Sequence, residues 1–82
     1  MNMERAALRG RLAEVKKTKF ELQKKAEGLC IAIRSMLNTA LADSIDDIEV
    51  AHADQLMDDL MAAMARIYTC NGTIARLEKE LQ

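Results

Sequence analysis

The chain has 82 residues, no proline, three glycines, two aromatic residues and a net charge of −1 at pH 7. A chain of this length forms at most one small domain and buries little surface by itself, so we expect it to need a partner. The near-neutral charge gives no overall attraction to nucleic acid or to anionic membranes. Its abundant Ala, Leu, Met, Glu, Lys and Arg are typical of long helices.

No apolar run approaches the roughly 20 residues that a membrane-spanning helix needs, and residues 1–17 contain no apolar signal core. We therefore expect a cytoplasmic protein that has no membrane partner.

The first predicted element is a helix over about residues 3–41. Apolar residues recur every seven positions, and a second series lies between them at alternating steps of four and three. In heptad notation the first series occupies the d positions, which hold Leu8, Val15, Leu22, Leu29 and Met36. The a positions between them are mostly apolar as well.

The turn is predicted at about residues 42–46, and a second helix with the same spacing at about 45–81. Ser44 followed by Asp47 resembles a capping box, in which the serine oxygen accepts a hydrogen bond from a free amide at the helix start. Asn71 and Gly72 leave open a break that would produce a short third helix.

Because the connection between the two helices is so short, the helices should be antiparallel neighbours. The predicted fold is therefore all-α: a coiled-coil-like two-helix hairpin forming one domain of residues 1–82. Positions whose residue numbers add to about 88 should lie at the same level.

Apolar residues at the e and b positions extend the hydrophobic surface beyond the a and d stripe of each helix. In an antiparallel pair the e positions of both helices lie on one side, which we term the e flank. Exposed apolar surface of this kind usually marks an interface. We predict that it closes a homodimeric four-helix bundle, with a higher oligomer or a docked helix of another protein as alternatives. The predicted interface comprises Phe20, Cys30, Leu37, Leu41, Val50, Met57, Met61, Met64 and Tyr68.

Charge is distributed unevenly, with nine basic and four acidic residues in 1–41 but three basic and nine acidic residues in 42–82. The facing flanks should therefore attract each other, and the level rule places Arg34 near Asp54.

The basic face of the first helix also offers an alternative function, because lysines around Phe20 could contact phosphates while the ring stacks on a base. The nucleic-acid contacts would be Arg9, Arg11, Lys16, Lys17, Lys24 and Lys25.

Glu49 and His52 have the i, i+3 spacing of carboxylate-bridged metal sites in helical bundles. The matching level of the first helix, residues 36–39, has no carboxylate, and the two side chains need not face one cavity. We therefore predict no metal, no cofactor and no catalytic site. Cys30 and Cys70 lie at levels too far apart for a disulfide, and both should be reduced.

The sequence thus predicts a non-enzymatic structural or adaptor module that associates with itself. A small nucleic-acid-associated or regulatory protein is the alternative.

Overall fold

The structure, a computed structural model, describes residues 2–82, so the predicted domain of 1–82 begins one residue outside the described part. Helix α1 spans Asn2–Ala42 and helix α2 spans Val50–Glu80. They pack against each other along a rod of 64 × 15 × 14 Å, and residues 2–82 contain no strand. The all-α hairpin predicted from the heptad spacing is confirmed, and α1 extends one residue further at each end than predicted. None of the described helices is long and apolar enough to cross a membrane.

The turn differs from the prediction, because α2 begins at Val50 rather than near residue 45. A short 3₁₀ helix, Ile45–Asp47, occupies the interval. The hydroxyl of Ser44 accepts a hydrogen bond from the Asp46 backbone N–H at 3.3 Å. Ser44 is thus a cap, but it caps the 3₁₀ turn and not α2, and the acidic residues 46 and 47 lie in that turn. The N-cap of α2 is Glu49, whose side chain makes no capping hydrogen bond.

Both helices are continuous. Residues 71 and 72 lie inside α2, so the predicted alternative of a third helix is not observed. A Cβ atom added to Gly10, Gly28 or Gly72 would meet nothing within 4 Å, so no tight packing demands glycine at these positions. At the open end, a guanidinium nitrogen of Arg5 donates a hydrogen bond to the carbonyl oxygen of Leu81 at 2.8 Å. This bond links the start of α1 to the end of α2.

The core is thin. Only six of the described residues are buried, and three of them are alanines that bring little apolar surface: Leu22, Ala26, Ala40, Ala63, Ile67 and Leu77. Leu22, Ala26, Ala63 and Ile67 form one cluster. Matching 22 with 67 and 26 with 63 gives sums of 89, which agrees with the predicted level rule.

The surface is correspondingly large for the mass. The accessible area is 6190 Å², whereas a compact monomer of 9.2 kDa should expose about 4,900 Å². The radius of gyration is 18.6 Å, against about 12 Å for a compact domain of this length. The single hairpin thus leaves roughly 1,300 Å² more surface in water than a compact domain would.

Candidate functional site

An apolar groove runs along the e flank in the half of the rod nearer the turn. It has two sections of about 700 and 450 Å³, which share Cys30, Arg34 and Leu60. The section further from the turn is lined also by Gln23, Ala26, Glu27, Ile31, Met64 and Ile67. The section nearer the turn is lined also by Ile33, Leu37, Asn38, Leu41 and Met57. We refer to these two sections together as the groove.

The groove brings together five of the nine residues predicted for the dimer interface, namely Cys30, Leu37, Leu41, Met57 and Met64. Met64 is half-buried against the core cluster, whereas the other four are exposed. The remaining predicted residues, Phe20, Val50, Met61 and Tyr68, are exposed but do not line the groove. Cys30 and Met57, whose numbers add to 87, line the same section, as the level rule predicts.

Ile31 lines the groove, is 56% exposed and was not predicted. It falls at heptad position f, which normally faces solvent, so a search restricted to the e and b positions misses it. An isoleucine at an f position beside an apolar e position is the signal that could have revealed it.

The groove lies on the e flank because both helices present apolar e residues there, one layer outside the core. Toward the open end the e positions become polar. There the ammonium group of Lys16 lies 3.5 Å from a carboxylate oxygen of Glu78. This ion pair joins α1 and α2 across the same flank and confirms that the e positions of the two helices share one side. Both side chains are about half exposed, so the pair contributes little stability.

The six cations predicted to contact nucleic acid are all exposed. Two of them already interact with carboxylates of the same chain, Lys16 with Glu78 and Lys24 with Glu27, each at 3.5 Å. The Lys24 ammonium also lies 5.3 Å from the centre of the Phe20 ring. The ring is therefore next to a cation, as the sequence suggested, and one of its faces is taken by that contact.

Glu49 and His52 line one cavity, which their heptad positions did not require. A cavity of about 490 Å³ beside the turn is lined by both of them, and a carboxylate oxygen of Glu49 lies 3.4 Å from His52 Nδ1. They come together because Glu49 is the N-cap of α2 and His52 lies in its first turn. No group of three metal-ligating side chains is found among residues 2–82.

Cys30 is exposed, Cys70 is half-buried and both are free thiols. Arg34 and Asp54 do not form an ion pair; within residues 2–82 the contacts between acidic and basic groups are Lys16 with Glu78, Lys24 with Glu27 and His52 with Glu49. Arg34 lies instead at the centre of the groove.

Comparison with known proteins and structures identifies no similar protein. No protein-family model matches the chain, and neither a curated protein nor a solved structure is found to be similar to it.

Proposed function

We propose that this protein is a cytoplasmic, non-enzymatic structural or adaptor module that associates with itself through the groove. The observation that carries the proposal is an exposed apolar groove beside a thin core, in which six of the described residues are buried. An exposed apolar groove flanked by further exposed apolar side chains is the kind of surface that marks many protein–protein interfaces.

The available area supports the proposal. A specific protein–protein interface removes about 1,200–2,000 Å² from water in total. The surface that each hairpin exposes beyond that of a compact domain is about 1,300 Å², so two copies together have enough area to form a stable pair. A second copy is also always present when the protein is made, whereas a different helical partner would have to be supplied.

Sedimentation equilibrium across the micromolar range tests the proposal, and the expected result is a dimer. Leu37→Glu places a charge in the groove and should shift the equilibrium to monomer, because the carboxylate would have to be desolvated in the interface. Met3→Glu makes the same kind of change at an exposed position outside the groove and should leave the dimer intact. A wild-type chain that stays monomeric throughout this range would overturn the proposal.

Nucleic-acid association is a second candidate, favoured by the exposed cations around Phe20. It ranks lower because Lys16 and Lys24 already have carboxylate partners. Fluorescence anisotropy with a single-stranded oligonucleotide at low salt tests it. Binding should weaken steeply with added salt and on replacing Lys16, Lys17 and Lys24 by glutamate. Absence of binding at low salt would remove this candidate.

A further inference from the structure

The exposed apolar residues of both helices span ranges that are centred on the middle of the groove. Apart from Met3 and Ile45 near the ends of the rod, they lie between Phe20 and Leu41 on α1 and between Val50 and Tyr68 on α2. The midpoints of these two ranges are about residues 30 and 59, which are at the same level because their numbers add to 89. The two sections of the groove also meet there, at Cys30 and Leu60. A two-fold axis perpendicular to the rod at this level would place the patch on its own copy.

The charges are not symmetric about that level. Residues 21–65, the half of the rod near the turn, hold three basic and nine acidic residues and carry a net charge of −6. The open half, residues 1–20 and 66–82, holds nine basic and four acidic residues and carries +5. The turn itself contributes Asp43, Asp46, Asp47 and Glu49, all exposed.

We propose that two copies pair antiparallel and staggered along the rod, with the two-fold axis beside Cys30, so that the acidic turn of each copy lies beside the lysines of residues 16–19 of the other. The inference rests on the proposed self-association and adds its polarity and its register. With the axis near residue 30, the turn at residue 44 comes to the level of residues 16 and 17 of the second copy. Leu41, which is 76% exposed, comes to the level of Phe20.

A parallel pair is disfavoured by the same charges. It would place the two turns side by side, and each −6 half would face another −6 half, so like charges would oppose association. The antiparallel stagger instead places four acidic residues of the turn near Lys17 and Lys19, which contact no carboxylate within residues 2–82, and near Lys16, which would be shared with Glu78. Complementary charges of this kind fix the register more than they add affinity.

The two arrangements differ in length. Overlap from about residue 17 to 44 corresponds to roughly 40 Å of helix at ~1.5 Å per residue. Two rods of 64 Å that share this overlap would form a particle of about 90 Å. A parallel pair would keep the length of one rod.

Cross-linking between engineered cysteines tests the polarity, in chains in which Cys30 and Cys70 are replaced by alanine. Gln23 and Leu37 both line the groove, and their numbers add to 60, so they face each other across the proposed axis. A short bismaleimide should join Gln23→Cys chains to Leu37→Cys chains when the two are mixed and distinguished by mass. Leu37→Cys alone should not cross-link to itself, because the two copies of residue 37 would lie about 20 Å apart along the axis.

Each outcome decides a different point. Mixed products without Leu37 self-products, together with a scattering length near 90 Å, support the antiparallel stagger. Leu37 self-products, or a dimer that gives neither product, overturn the polarity while leaving self-association standing. A monomer by sedimentation, in the cysteine-free chain and in the wild type, overturns the proposed function itself.

Discussion

Met57→Ala tests whether the groove is the dimer interface. Met57 lines the section nearer the turn and is 45% exposed in the single hairpin. Complete burial of a methionine contributes about 1.5–3 kcal/mol, so burial of the remaining 45% should contribute about 0.7–1.4 kcal/mol. A symmetric dimer buries two such side chains, which gives about 1.4–2.7 kcal/mol and predicts a Kd about 10- to 100-fold higher for the variant.

Sedimentation equilibrium measures this Kd, and circular dichroism checks that the helices are retained, since alanine is the best helix former. Met3→Ala is the matched control, because Met3 is 85% exposed but does not line the groove. Its Kd should remain within about twofold of the wild-type value. If Met57→Ala changes the Kd no more than Met3→Ala does, the groove is not the interface.

Two further substitutions test the hairpin itself. Gly28→Ala should stabilise α1 by about 1 kcal/mol and raise Tm by roughly 4–8 °C, because the new Cβ meets nothing within 4 Å. The reverse change at an exposed position, Ala62→Gly, should lower Tm by a similar amount. A lower Tm for Gly28→Ala would show that the side chain at position 28 does not have open space around it. Glu49→Ser should raise the free energy of unfolding by roughly 0.5–1 kcal/mol in a urea titration, since Glu49 is an N-cap without a side-chain capping bond. Because Glu49→Ser also removes the contact between Glu49 and His52, His52→Ala is the control for that loss. An unchanged urea midpoint for Glu49→Ser would show that serine does not cap α2.

The heptad spacing predicted both helices and their pairing because each helix must bury one apolar stripe, and the period of that stripe is visible in the residues. The start of α2 was less predictable. Ser44 can satisfy a backbone amide in either a helix start or a 3₁₀ turn, and local capping rules do not separate these two outcomes. The choice depends on how far the chain must travel to bring α2 against α1, which is a property of the whole hairpin.

The sequence predicted on which side of the rod the groove lies, but not which residues line it. The e positions identified Cys30, Leu37, Met57 and Met64, because an antiparallel pair puts both e flanks together. Whether a given side chain lines a groove depends on where its neighbours leave space, and the heptad pattern does not specify this. Phe20, Met61 and Tyr68 therefore belong to the exposed apolar face without lining the groove, and Ile31 lines it from a position that normally faces solvent.

The length of the rod makes its two charged halves electrostatically independent. Screening in physiological salt acts over about 8 Å, and the hairpin is 64 Å long, so the potential of the acidic turn has decayed well before the open end. A charged molecule approaching one end thus responds only to the local charge, although the chain as a whole is close to neutral. Only direct apposition of the acidic turn and the basic half, of the kind that a staggered pair would provide, brings the opposite charges within a screening length of each other.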